Sequence, residues 1–273
     1  MKTLQSAGCV LSSTQELNLS KTFECGQCFR WNVNKSGIYT GIAYGHSLKI
    51  WEENGLIICD APDCDLPFWH DYFDLDTNYA AATADFTQYD YLQSCAKYGE
   101  GIHILKQEPW EALCSFIISQ CNNIPRIKKI VECLCTNFGE LQPSGLFSFP
   151  SAESLAVLSE RDLAPLHSGY RAAYIINAAR AVAEKSLDFN LLYSMDAPAA
   201  IAELSKIHGV GKKVASCTVL FGLHKMDSFP IDVWIKRALD KHFPPDFDPK
   251  ALGSYAGLAQ QYIFFYARSN ESK

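Results

Sequence analysis

Hydrophobic periodicity switches once along this chain, and the switch limits the folds open to it. From Phe23 to about Asp60 the pattern has period two: Phe23, Cys25, Gln27, Phe29, Trp31 and Val33 alternate with other residues. Asn34–Gly37 reads as a turn, "GIYTGIAYG" and "HSLKIWEE" read as strands, and Asn54-Gly55 supplies a hairpin signal before "LIICD". From about Asp90 onward the spacing is helical. Pro109 opens a run with apolar Leu113, Phe116, Ile117 and Ile118, and Ile127, Ile130, Val131 and Leu134 continue at helical spacing to a C-cap at Gly139. Ser151 opens a short helix, and Tyr174, Ile175, Ala178 and Val182 mark the apolar face of another. The expected fold class is therefore α+β: an N-terminal antiparallel β-sheet domain over residues 1–95, followed by a helical body over residues 96–273.

With 48% hydrophobic and 12% aromatic residues, the chain has ample material for a core and no signature of disorder. The opening "MKTLQSAGCVLSSTQELNL" holds no long apolar run and no Arg-rich face, so no membrane partner and a soluble intracellular location are expected. That location is cytoplasmic (nucleoid) in a bacterium and nuclear in a eukaryote. The eleven cysteines are odd in number and scattered, which fits a reducing compartment. Cys25-Gly-Gln-Cys28 has CxxC spacing, but no second ligand pair for zinc follows, and "FECGQCFRW" reads as extended chain rather than as a helix opening after a strand. No metal and no cofactor are expected.

A net charge of −6 argues against generic nucleic-acid binding. Local charge decides contacts, however. Lys206, His208, Lys212 and Lys213 cluster without an acid between them; Arg126, Lys128 and Lys129 form a second cluster, and Lys236, Arg237 and Lys241 a third. On charge alone, solvated helix faces account for all three.

"HGVGKKVASC" (208–217) adds geometry to the first cluster. Asp196 caps a helix expected to reach about Ile207, Gly209 and Gly211 bracket Val210 in a tight turn, and an apolar helix starts near Lys212. Such a hairpin aims unpaired backbone N–H groups and a helix N-terminus at a phosphate. A plain turn between two helices fits the same residues. Lys213, in the first turn, carries an amine that can form a Schiff base. Further on, "FPIDVWIKRAL" places Asp232 to cap another helix at its mouth.

Taken together, this hairpin, the lysine and the Pro/Asp segment resemble the helix-hairpin-helix superfamily of DNA glycosylases, and within it the 8-oxoguanine DNA glycosylase/AP-lyase family. The resemblance runs from "LNLSKTFECGQCFRW" to "YAGLAQQYIFF". It implies base excision from damaged double-stranded DNA by a monomer. Lys213 resembles the nucleophile and Asp232 the carboxylate that orients the site. Gly26 resembles the residue whose carbonyl accepts the N7–H that 8-oxoguanine has and guanine lacks. Cys217 and Phe264 resemble the two faces of the base pocket, and Gln260 the reader of the Watson–Crick edge. Tyr170 resembles the wedge that fills the gap left by the extruded base. Arg171 and Arg126, with Asn122, resemble the contacts to the estranged cytosine. His208, Gly209, Gly211, Lys212 and Trp234 fall where the family grips the DNA backbone.

Two positions depart from the pattern. Cys121-Asn122-Asn123 stands where the family usually has three asparagines, which leaves the opposite-base preference open. Trp234 stands where a histidine commonly contacts phosphate. Two rival readings also remain at this stage. A monofunctional glycosylase for other damaged bases would keep the aspartate and lack the lysine, and a noncatalytic helix-hairpin-helix DNA-binding protein would need neither. The iron–sulfur branches of the superfamily carry four cysteines near the C-terminus, whereas the last cysteine here is Cys217.

Overall fold

The computed structural model describes residues 8–271. The first seven residues of the expected N-terminal domain, and residues 272–273, lie outside it. Five antiparallel strands form one sheet in the order β1-β5-β4-β3-β2: β1 (Cys9–Ser13), β2 (Asn32–Val33), β3 (Tyr39–Ala43), β4 (His46–Glu53) and β5 (Leu56–Cys59). Asn54 (φ 51°) and Gly55 (φ 79°) make the β4–β5 hairpin, as the Asn-Gly signal requires. The edge strand β1 has no counterpart in the sequence reading. It pairs with β5, with a register shift between Val10 and Ser12.

The segment from Phe23 to Trp31 corrects the expected strand. Leu19–Glu24 is a helix, capped by the Asn18 side chain, which accepts from Lys21 N at 2.9 Å. Gly26 follows with φ 86°, and the chain then runs irregularly to β2. The period-two pattern has a tertiary origin. Phe23, Cys28 and Trp31 pack into the core under the sheet, while Cys25 and Phe29 pack into the helical core. The segment thus lies between two cores and supplies both. Phe23 stacks on Trp31 at 4.4 Å, and the Trp31 indole donates to the Tyr72 hydroxyl at 3.0 Å.

The larger core is built by helices, among them Pro109–Ser119, Ile124–Phe138, Arg171–Ala183, Ala197–Leu204, Lys212–Phe221, Val233–His242 and Ala256–Asn270. Local caps set several of the starts: Asn123 accepts from Arg126 N, Ser151 from Ser154 N and Asp196 from Ala199 N. The helix expected to reach Ile207 ends at Leu204. Gly139 does cap its helix, but with φ −85° rather than in a left-handed conformation. Its side chain is excluded because a Cβ there would lie 2.0 Å from the Ser148 carbonyl oxygen. No helix among the described residues is long and apolar enough to cross a membrane.

At the entrance to the helix Pro109–Ser119, burial and the neighbouring Glu111 carboxylate push Glu108 up to about 7, with Arg30 pulling the other way. A raised carboxyl contributes stability below its unfolded pKa, and that contribution is lost as pH rises through the folded value. Stability should therefore fall between about pH 4.5 and 7, with a component on the order of 2–3 kcal/mol from this group. Urea denaturation across that range should show the component in the native protein and not in Glu108→Gln.

Candidate active site

The turn before the lysine helix is shaped by one glycine. Gly209 has φ 94°, and a Cβ there would lie 2.1 Å from the Tyr174 ring. Tyr174 comes from the helix Arg171–Ala183 and meets His208 edge-on at 5.4 Å. Gln120 Nε2 donates to the Gly209 carbonyl at 3.1 Å and ties the turn to the end of the helix Pro109–Ser119. Gly211 corrects the expectation that both glycines are needed for the turn. Its φ is −83° and ψ 171°, an extended conformation open to any residue, and nothing lies within 4 Å of where a Cβ would be. Glycine at 211 instead keeps open space beside the helix start. Gly209→Ala should cost about 2–4 kcal/mol, from backbone strain plus overlap with Tyr174, and a shift in the urea midpoint measures it.

Lys213, half-buried in the first turn of Lys212–Phe221, sends its Nζ to Ser119 Oγ at 3.0 Å and lies 5.2 Å from the centre of the Phe116 ring. Cys217, one turn further on, is buried. Burial pushes its thiol up, while the adjacent Lys213 ammonium pulls it down and Asp232 adds to the upward push. Asp232 caps Val233–His242, its Oδ1 accepting from Ile235 N at 2.9 Å. The cap fixes the carboxylate at the mouth of that helix.

These elements close around one cavity of about 520 Å³. Lys213, Asp232, Gly26, Cys217, Gln260 and Phe264, drawn from four separate parts of the chain, all line it, and Asn122 and Trp234 line it as well. Gln260 is 5% exposed, and its Oε1 has no hydrogen-bond partner among the described residues. A buried amide oxygen left unpaired on a cavity wall is costly unless a ligand donates to it. The Arg268 guanidinium lies 5.5 Å from the centre of the Phe264 ring. Trp234 lies under the Arg237 guanidinium at 5.6 Å.

Other expected residues sit outside the cavity lining. Lys212 and His208 are exposed beside the turn. Tyr170 is half-exposed at the start of Arg171–Ala183. Arg126 Nη2 donates to the carbonyl of His167, three residues before Tyr170, at 3.2 Å. Asn122, which does line the cavity, uses both ends of its amide internally, donating to the Ile118 carbonyl and accepting from Asn123 N. Arg171 departs from the role the resemblance implies. It is 4% exposed and donates to the backbone carbonyls of Gln120, Cys121 and Ser168. In this conformation it braces the loop between two helices and does not reach out toward a base. Cys121, exposed on that loop, has φ 48°, a backbone region that asparagine adopts more readily.

Ser119 is a site residue that the sequence reading missed. Its signal is slight: one hydroxyl at the end of an apolar helix, ninety-four positions from the lysine it meets. The CxxC cysteines, Cys25 and Cys28, are both free and buried, and burial pushes the Cys25 thiol up to about 12. Among the described residues no group of three His, Cys, Asp or Glu side chains is placed to hold a metal.

Comparison with known proteins places the chain in a family. Residues 9–113 match the family model for the 8-oxoguanine DNA glycosylase N-terminal domain. Residues 114–253 match that for the HhH-GPD superfamily base excision DNA repair protein. The N-glycosylase/DNA lyase of Saccharomyces cerevisiae is 34% identical over 84% of this chain and 69% of its own length. The N-glycosylase/DNA lyase OGG1 of Arabidopsis thaliana is 28% identical over 91% of this chain and 77% of its own. Among solved structures, MBOgg1 in complex with a low-affinity DNA ligand superposes with a TM-score of 0.90 at 35% identity, covering 98% of each chain. The Clostridium acetobutylicum 8-oxoguanine glycosylase/lyase, bound to double-stranded DNA with cytosine opposite 8-oxoG, gives 0.87 at 33% identity, over 94% of this chain and 93% of its own. The α+β architecture is shared with these structures, and the chain belongs to the 8-oxoguanine DNA glycosylase family of the HhH-GPD superfamily.

Proposed function

We propose that this protein is a bifunctional 8-oxoguanine DNA glycosylase/AP lyase acting on damaged duplex DNA as a monomer. The division of the chain at residues 95 and 96 is part of the same proposal. The observation that carries the reading is the convergence of Lys213 and Asp232 on one cavity with Gly26, Cys217, Gln260 and Phe264. A cavity of about 520 Å³ accommodates a purine with its sugar beside it.

The extruded base enters between Cys217 and Phe264. The Gly26 carbonyl accepts N7–H, and Gln260 pairs with the Watson–Crick edge. Because guanine has no hydrogen on N7, it leaves the carbonyl unpaired and is rejected. The Lys213 amine attacks C1′; the C1′–N9 bond breaks, and the base leaves as an anion that takes up the proton shed by the attacking nitrogen. Asp232 stabilises the positive charge that develops on the sugar. The sugar ring opens to an imine on Lys213. Loss of a proton from C2′ then expels the 3′-phosphate, and water hydrolyses the imine to free the lysine. Tyr170 fills the gap in the duplex, and Arg126 and Asn122 face the estranged base. His208, Lys212, Trp234 and the N–H groups at Gly209–Gly211 hold the phosphates. Arg171 fixes the Gln120–Cys121 loop beside the wedge through its bonds to those carbonyls, and turns to the estranged cytosine when the duplex binds.

A duplex carrying one 8-oxoguanine opposite cytosine tests the proposal, with base release and strand cleavage timed separately. Both should occur without added alkali. Base release with an intact strand would support the monofunctional reading, and binding with neither product would support the noncatalytic one.

A further inference from the structure

Gly26 lies in a segment whose neighbouring carbonyls are all fastened. Arg268 Nη2 donates to the Glu24 carbonyl at 2.6 Å, Gln261 Nε2 to the Cys25 carbonyl at 2.8 Å, and Gln107 Nε2 to the Gln27 carbonyl at 2.8 Å. The Gln27 side chain adds a further set of ties. Its Nε2 donates to the Thr22 and His103 carbonyls at 2.9 and 2.8 Å, and its Oε1 accepts from Leu105 N at 3.0 Å. Gln27, Gln107 and Gln261 are all buried. Of the four carbonyls from Glu24 to Gln27, that of Gly26 alone takes no hydrogen bond among the described residues. Gly26 is also the one with positive φ, and it lines the cavity.

Three buried primary amides around one short loop are costly to desolvate unless every donor and acceptor finds a partner. Here the Nε2 donors of Gln107 and Gln261 find the loop backbone, and the side chain of Gln27, within the loop, is tied to the backbone of Thr22, His103 and Leu105. A peptide plane whose neighbours are pinned on both sides cannot rotate to seek another partner, so its oxygen stays where the fold puts it.

We propose that Gln27, Gln107 and Gln261 are specificity-positioning residues, which hold the Gly26 carbonyl at a fixed place in the cavity and so set the discrimination between a purine bearing N7–H and one without it. The inference rests on the function proposed above. Gln261 itself lines the cavity, whereas Gln107 is not among its lining residues, so substitutions at the two compare a clamp residue on the wall with one behind it. The clamp acts on the loop that reads the base, whereas Lys213 and Asp232 stand on other helices. Misplacing the carbonyl by about 1 Å therefore affects recognition of a base and leaves no defect to express once the base is gone.

The test compares Gln107→Met and Gln261→Met with the native protein under single-turnover conditions. Each is given a duplex with 8-oxoguanine opposite cytosine and a duplex with a preformed abasic site opposite cytosine. The expected result is a fall of about ten- to a hundredfold in the ratio of excision rate to abasic-site cleavage rate. Cleavage of the abasic duplex also reports that each variant has folded. Equal falls on both duplexes, or an unchanged ratio, would overturn the clamp and leave the proposed function standing. A native protein inactive on both duplexes would overturn the proposed function, and the clamp with it.

Discussion

Lys213→Gln should lower excision of 8-oxoguanine by roughly 10³-fold or more, because no other amine in the cavity can attack C1′. The cavity-lining residues are otherwise apolar, hydroxyl, amide, thiol, carboxylate or indole groups, apart from the Arg268 guanidinium, which is too weak a nucleophile for the task. The glutamine is shorter than lysine but retains a donor for Ser119, the partner of Nζ in the native protein. The fold should lose less than about 1 kcal/mol, since Lys213 is half-buried and sits in a first helical turn. Binding to the damaged duplex should persist, because Gly26, Cys217, Gln260, Phe264 and the turn at Gly209 are unchanged. Single-turnover rates set beside equilibrium binding of the same duplex separate the two effects.

Asp232 does two things at once, and two substitutions pull them apart. Its Oδ1 caps the helix Val233–His242 through Ile235 N, and its charge faces the cavity. Asparagine caps a helix about as well as aspartate does. Asp232→Asn should therefore melt close to the native protein while excision falls by about 10²–10³-fold, the loss expected when the charge opposing a developing cation is removed. Asp232→Ala should lose a similar factor in rate and about 1 kcal/mol of stability besides. Full activity in Asp232→Asn, measured under single turnover, would reduce the residue to a helix cap.

What the sequence discloses about this molecule is mostly what short-range chemistry decides. Asn54-Gly55 demands a turn because few other pairs tolerate positive φ twice in succession. Ser151, Asp196 and Asp232 announce helix starts because each cap is closed by an N–H three residues away. Where distant chain decides, the reading fails. The residues from Phe23 to Trp31 alternate because two cores draw on them in turn, not because they form a strand. Strand β1 (Cys9–Ser13) has no turn signal or sustained alternation of its own, and it exists through its pairing with β5. Gly139 is glycine because Ser148 crosses close by.

The site divides along the same line. Lys213 and Asp232 are marked by their places at two helix starts, which local pattern reveals. Gly26, Cys217, Gln260 and Phe264 carry no local sign of a pocket, and family resemblance alone pointed to them before the fold brought them together. Ser119 had only a slight local signal, and Gln107 and Gln261 had none, since each acts on a partner far away in the chain. Arg171 is the converse case. In sequence an arginine beside a wedge tyrosine looks available for contact; in the fold its donors face three backbone carbonyls.

The most direct test of the central claim is borohydride trapping on a duplex with a single 8-oxoguanine opposite cytosine. Reduction of an imine joins protein and DNA permanently, so the adduct identifies the amine that attacked. A covalent adduct with the native protein that is absent with Lys213→Gln is the predicted result. Native protein that binds this duplex and an abasic duplex yet gives no adduct with either would contradict the lysine mechanism, as would an adduct that survives in Lys213→Gln.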